Sequence, residues 1–330
     1  MKEEINNTII NNVKEIFIDF PFIKKIAVAV SGGCDSLSLT LALNEFCKQQ
    51  KIDLFALTVN HQVRENSYYE AISLNKILDS LSINHKILTI PKNKIPKKNI
   101  EANLRDLRYE ILTNFCKKNK IDILFVGHHL GDVAENFLIR LFRGSGLDGL
   151  SPIKKISDIN GIKIIRPFIE ISKNDLKKYL VNKGVSWFED ESNNDDKFLR
   201  NRIRKFLASF LEQDIIEKRI KSTSEEIAKI RDEFDNIMNI QKPLFLTENE
   251  DGSVLINKNN LLKINENIAL KALAIALMKI GNKKYKPRKE KLIRFYNYLK
   301  DNKTIKRYDF YGCTIKNYDN QRVIIFSKKI

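Results

Sequence analysis

Two short stretches carry residues whose types and spacing can do chemistry. The first is Ser31-Gly32-Gly33-Cys34-Asp35-Ser36, which ends an apolar run, Ile26 to Val30, and opens a second apolar segment at Leu37. Glycines allow positive φ and close backbone approach. A helix beginning just beyond them offers free N–H groups and a dipole to an anion. With hydroxyls at Ser31 and Ser36, the stretch reads as a phosphate cradle. No Gly-Lys-Ser/Thr follows, so it is not a Walker A loop and no lysine grips a γ-phosphate. An aspartate among phosphates, Asp35, makes sense beside a cation that separates the charges. The plainer reading is a Gly-Gly turn with Asp35 as a helix cap.

The second stretch is His128-His129-Leu130-Gly131-Asp132-Val133-Ala134-Glu135, directly after the apolar run IDILFVG. His128 and Asp132 are four apart, and Asp132 and Glu135 three apart. On one helix these spacings stack the three side chains on one face. Two carboxylates beside a phosphate loop suit Mg²⁺ and the orientation of an amine. A transition-metal site of two histidines and an aspartate lacks a third firm ligand. Gly144 to Gly149 matches the GxGxxG pattern of dinucleotide sites, but it follows a helical segment where that motif requires a strand.

The elements that must position these residues are legible in outline. Four short β-rich runs, KKIAVAV, IDLFALTV, NHKILTI and IDILFVG, are separated by helical patterns. That alternation predicts a doubly wound α/β domain on a parallel sheet covered on both faces. Such sheets bind ligands beyond the carboxyl ends of their strands, where both stretches fall. A helix opened by Ser172 with Asp175 three residues on, a basic helix from Phe198, and a helix over 215–240 follow. A β-like segment, Ser253 to Ile256, precedes a helix to about Met278, another over 289–300 and three short alternating runs. The expected division is a catalytic domain over 1–210 and a smaller, mainly helical α+β domain over 211–330.

Lysine and arginine number 58 against 41 acids, and the last fifty residues hold 15 bases against 4 acids. So lopsided a charge suits a polyanion, and a long nucleic acid is the expected partner. No apolar window long enough to cross a membrane occurs, and MKEEINNTII is not a signal peptide. Four scattered cysteines without a CxxC pair predict a reducing cytoplasm, no disulfide and no structural zinc. Trp187, the one tryptophan, reads as packing. The sequence leaves the oligomeric state open, a homodimer included.

The string SGGCDS resembles the signature of the PP-loop ATPases, the ATP pyrophosphatase superfamily. Four further segments narrow the likeness: TVNHQVRENSYYEA, IEANLRDLRYEIL, GHHLGDVAENFLIRLFRGSGLDGL, and IIRPFIEISKNDLKKYLVNKGVSWFEDESNNDDKFLRNRIR. In order and spacing they resemble the tRNA(Ile)-lysidine synthetase family, over about residues 25–205. The family often carries an acid or amide where Gly131 stands. The chain is expected to lack the second C-terminal domain of the family's long forms.

The resemblance implies that ATP adenylates the C2 oxygen of the wobble cytidine in a CAU-anticodon isoleucine tRNA, and that free L-lysine displaces AMP to give lysidine. It assigns ATP binding to Ser31, Gly32, Gly33, Cys34, Asp35, Ser36, Asn60, His61 and His128. Asp35 and Asp132 would hold Mg²⁺, and Asp35, Asp132 and Glu135 would be catalytic. Arg105 and Arg108 suit phosphates of ATP or tRNA, while Arg200, Arg202, Arg204, Lys286 and Arg288 suit tRNA phosphates. The nearest rival is a PP-loop tRNA thiolase, against which the unpaired cysteines count. A rival of another class is a non-catalytic RNA-binding protein, against which the intact acids count.

Overall fold

A computed structural model describes residues 2–60, 66–91, 93, 100–189, 198–302 and 304–328. They form two compact units, Met1–Ala228 and Lys229–Ile330.

The first unit begins with α1 (Lys2–Ile18), then alternates β1 (Lys25–Ala29), α2 (Cys34–Gln50), β2 (Asp53–Asn60), α3 (Asn66–Ser80), β3 (Asn84–Thr89), α4 (Ile100–Lys118) and β4 (Ile123–Val126). After α5 (Leu130–Phe142) and α6 (Leu147–Leu150), a hairpin of β5 (Ile156–Ile159) and β6 (Ile162–Ile165) leads to α7 (Lys173–Lys183), α8 (Leu199–Ala208) and α9 (Gln213–Gln241). The sheet order is β3-β2-β1-β4-β6-β5, parallel except for β5 at the edge. This is the doubly wound α/β domain expected from the alternation, with one antiparallel edge strand that the short run KIIRPF did not announce.

Alternation along β1 divides the two faces. Ile26 and Val28 pack with α1, α2 and α7, while Ala27 packs with Tyr109, Leu112 and Cys116 of α4. Each strand is therefore buried on both sides, which is why its run is almost wholly apolar. Helix α1 buries Ile9, Val13, Ile16 and Phe17 in that core, an amphipathic stripe at helical spacing.

The second unit contains the rest of α9, then β7 (Leu246–Glu248), β8 (Val254–Asn257), α10 (Lys258–Lys263), α11 (Glu266–Ile280), α12 (Lys289–Asp301), β9 (Tyr308–Phe310), β10 (Cys313–Asn317) and β11 (Arg322–Ser327). Its five strands form an antiparallel sheet in the order β7-β8-β11-β10-β9. The basic tail is thus no appendage. Phe295, Leu299, Ile315, Val323 and Ile325 are core residues of this unit, and the described lysines and arginines of the tail are exposed.

Candidate active site

The strand order reverses at β1, whose neighbours are β2 and β4. A crevice opens beyond the carboxyl ends of strands at such a point. Ser31–Ser36 follows β1, and His128–Glu135 follows β4. The two loops meet at Gly127: a Cβ there would lie 2.9 Å from the Asp35 carbonyl oxygen and 3.0 Å from Ser36 Cα. Only a glycine lets the end of β4 come so near the start of α2.

The first loop is tied before any ligand arrives. The Ser31 N–H donates to Ser36 Oγ (3.1 Å), which donates to the Gly33 carbonyl (3.1 Å). Gly32 has φ +85°, and its carbonyl accepts from the Phe188 N–H at 3.0 Å. The Phe188 ring covers the turn so closely that a Cβ at position 32 would stand 2.5 Å from it. Cys34 faces the core, and burial, with Asp35 second, pushes its thiol up to about 11. It remains a neutral thiol. Asn60, at the end of β2, is buried. His61 lies outside the described residues.

The second loop differs from its expected arrangement. Helix α5 begins at Leu130, so His128 precedes it and does not share a helical face with Asp132 and Glu135. The reason is a cap. His129 Nδ1 accepts the Gly131 N–H at 3.0 Å, and Asp132 Oδ2 accepts the His129 N–H at 3.2 Å. An acceptor Nδ1 puts the His129 proton on Nε2. That atom stands 3.7 Å from both Asp35 Oδ2 and Asp132 Oδ2, between the two acids. His128 is fixed likewise, its Nδ1 accepting from Arg166 Nε at 3.2 Å. Burial, reinforced by Arg166, Arg105 and Arg108 against the pull of Asp132, pushes its imidazole down to about 3.

Asp132 and Glu135 are both buried, and both are met by arginines of α8. Arg200 donates to Asp132 Oδ1 (2.6 Å) and Glu135 Oε2 (2.7 Å), and Arg204 donates to Glu135 Oε1 (2.6 Å). Burial alone would raise the Asp132 carboxyl, but His129, His128 and Arg200 hold it far below the ordinary range. The apolar contacts of Ala134 and Leu138 with Ile203 and Leu207 hold α8 there. Arg202 stays exposed on the same helix. The sequence shows each half, acids three apart on one helix and bases four apart on another, but not their meeting.

Glu217 of α9 was not foreseen. It is buried, accepts from Gln213 Nε2 at 2.8 Å, and burial raises its carboxyl. A Cβ at Gly131 would stand 2.7 Å from His129 Cε1 and 3.2 Å from Glu217 Oε1. The space for a side chain at 131 is therefore taken by the ring and this carboxyl.

Among the described residues no group of three or more His, Cys, Asp or Glu is set to hold a metal. Magnesium commonly uses one or two carboxylates together with substrate phosphates. Asp35 fits that use, since its Oδ1 is buried without a hydrogen-bond partner among the described residues. Arg105 and Arg108 lie on α4, and Lys286 and Arg288 are exposed in the second unit. No described helix is long and apolar enough to cross a membrane.

A family model described as a PP-loop domain matches residues 5–211. The tRNA(Ile)-lysidine synthase of Wolbachia pipientis wMel is 33% identical over 302 residues, covering 91% of this chain and 70% of the relative. That of Wolbachia sp. subsp. Brugia malayi (strain TRS) is 34% identical with the same coverage, and that of Orientia tsutsugamushi (strain Boryong) is 38% identical over 64% of this chain and 49% of its own. Among solved structures, the U34-tRNA thiolase NcsA from Methanococcus maripaludis superposes with a TM-score of 0.58 at 21% identity, covering 69% of this chain and 80% of that one. The last likeness is one of fold.

Proposed function

The chain belongs to the tRNA(Ile)-lysidine synthase family, and on that premise we propose that it joins free lysine to C2 of the wobble cytidine of a CAU-anticodon isoleucine tRNA, consuming ATP and releasing AMP and pyrophosphate. The observation that carries the reading is the meeting of a lysine-free phosphate loop with buried carboxylates at the switch point of the sheet.

The C2 carbonyl of cytosine is a poor electrophile, and its oxygen cannot depart as oxide. Attack of that oxygen on the α-phosphorus of ATP expels pyrophosphate and makes AMP the later leaving group. The N–H groups and hydroxyls of Ser31 to Ser36 bind the pyrophosphate end, with Asn60 and His128 bordering the nucleotide. Asp35, with Asp132, would hold Mg²⁺, which offsets charge on the phosphates.

A neutral lysine amine then adds to C2, and AMP leaves as the C–O bond breaks. The amine arrives protonated and must lose two protons overall. Glu135 and Asp132 accept hydrogen bonds from it; Glu135 takes up one proton, and the second is released to water as AMP departs. In the resting chain Arg200 and Arg204 occupy these carboxylates, so the ammonium competes with guanidiniums for Glu135. Arg200, Arg202 and Arg204, with Lys286 and Arg288 of the second unit, contact tRNA phosphates. The setting is the cytoplasm, where the four free cysteines stay reduced.

The direct test supplies radiolabelled lysine, ATP and Mg²⁺ with an unmodified CAU-anticodon isoleucine tRNA, and a methionine tRNA in parallel. ATP-dependent label in the isoleucine tRNA alone is expected. Absence of label from folded, ATP-binding protein overturns the reading.

A further inference from the structure

One buried acid of the site has no counter-charge. Asp132 and Glu135 are met by Arg200 and Arg204. Glu217 of α9 is 3% exposed, and its hydrogen-bond partner among the described residues is the amide of Gln213, whose Nε2 stands 2.8 Å from Oε1. Among the described residues no cation pairs with it. A carboxylate withdrawn from water without a counter-charge is costly, and burial raises the Glu217 carboxyl accordingly. Such an acid is retained against stability where a site uses it.

Gly131 locates this acid within the site. A Cβ built on that glycine would stand 3.2 Å from Glu217 Oε1, 2.7 Å from His129 Cε1 and 3.1 Å from His129 Nδ1. The carboxylate and the imidazole therefore converge on one point from two elements, and the missing side chain of Gly131 lets them. After burial and the Gln213 hydrogen bond, the charge of His129 also acts on Glu217. The same ring accepts the Gly131 N–H at Nδ1 and sets Nε2 3.7 Å from both Asp35 Oδ2 and Asp132 Oδ2. One hydrogen bond at one edge leaves a ring free to tilt. A filled space beside that edge does not.

We propose that Glu217 is a positioning residue of the site: laid over Gly131 beside the edge of His129, it holds that imidazole with its Nε2–H between Asp35 and Asp132. The assignment rests on the lysine-ligation reading above and goes beyond it. Glu217 acts through His129 on two acids, one in the phosphate loop and one at the start of α5. It therefore bears on adenylation and on the attack that follows. Its charge matters as well as its bulk. An N–H placed between two carboxylates draws positive charge onto the imidazole, and a third carboxylate beside the ring supports that charge.

The test uses the full chain with ATP, Mg²⁺, L-lysine and CAU-anticodon isoleucine tRNA. Glu217→Gln keeps the shape and an acceptor for Gln213 but removes the charge. Its melting temperature should hold or rise, while kcat for ligation and the rate of pyrophosphate exchange each fall about tenfold. KM for tRNA should not move. His129→Asn still offers the Gly131 N–H a cap but has no ring to hold. In that background Glu217→Gln should cost nothing further, because residues acting as one unit are not additive. Multiplied losses in the double variant, an unchanged kcat in Glu217→Gln, or a loss of rate that follows a loss of melting temperature would overturn the proposal. The chain holds four histidines, so imidazole ¹⁵N spectra of histidine-labelled protein give a readout apart from activity. His129 should show the single Nε2–H tautomer, and Glu217→Ala, which empties the space, should release it into a mixture. An unaltered tautomer in that variant overturns the proposal as well. Absence of lysidine and of exchange from the unaltered, folded protein brings down the ligation reading and this inference together, whereas normal turnover with additive variants brings down only the role of Glu217.

Discussion

Arg200 reaches Asp132 and Glu135 at once, at 2.6 and 2.7 Å, although the three residues come from two helices and the acids are buried. The Arg200 side chain keeps 43% of its surface exposed, while those of Asp132 and Glu135 keep 10% and 6%. The exposed partner is the one free to leave. Arg200→Ala strands two buried acceptors, with Arg204 left to serve Glu135. Stability should fall by about 1–3 kcal/mol, measured by urea unfolding. Arg200→Lys should recover only part of it, because an ammonium cannot bridge both acids with a planar fork.

Gly127→Ala forces a Cβ to within 2.9 Å of the Asp35 carbonyl oxygen. Backbone must shift on both sides, at a cost of about 1–3 kcal/mol. The shift falls at the start of α2, so ATP affinity should drop at least tenfold while the fold persists. Calorimetric titration with ATP and a thermal melt read the two effects separately. Unchanged ATP affinity would detach the phosphate loop from the β4 loop.

The histidines set an acid limit. Thr58 Oγ1 donates to the Val30 carbonyl (2.8 Å) and therefore accepts from His85 Nε2 (2.8 Å), while His85 Nδ1 faces Asn75 Oδ1 at 2.8 Å. Burial pushes His85 down to about 4 and His128 down to about 3. Both lie below the unfolded value of about 6.5, so the unfolded chain binds the extra protons. Stability should be level above about pH 6.5 and fall as pH drops from there towards 4. The Asp132 carboxylate adds its loss from the ordinary aspartate range downward. Urea midpoints from pH 7.5 to 4.5 would reveal the slope, and His85→Gln should flatten it.

Removing residues 281–330 would delete α12 and three of the five strands of the second sheet, so truncation cannot isolate the basic surface. Point substitution can. Lys286→Ala and Arg288→Ala alter exposed side chains and should leave the fold intact. If each contacts one phosphate, each should lower the slope of log affinity for tRNA against log salt by about 1. ATP affinity should be unchanged. An unchanged salt slope would remove these residues from the tRNA surface.

The sequence by itself determined the elements and the two loops. Apolar runs of strand length between helical patterns leave a covered parallel sheet as their one compact solution. Loops at the carboxyl ends of β1 and β4 must then face one crevice, and the loop motifs carried the family likeness over Ser31–Ser36 and His128–Glu135. What the tertiary structure decided is which side chains face each other there. Asp132 and Glu135 announce an acidic face, but not that α8 lays Arg200 and Arg204 upon it, because a pairing 65 or more residues apart leaves no local period to read. The cap on α5 moved His128 off the helix for a similar reason: His129 is an unusual cap, and only the Gly131 N–H shows that it serves as one. The same holds for Tyr109, whose helical spacing reads as core. Its side chain acts on Arg166, just past β6, and no periodicity along α4 discloses that neighbour.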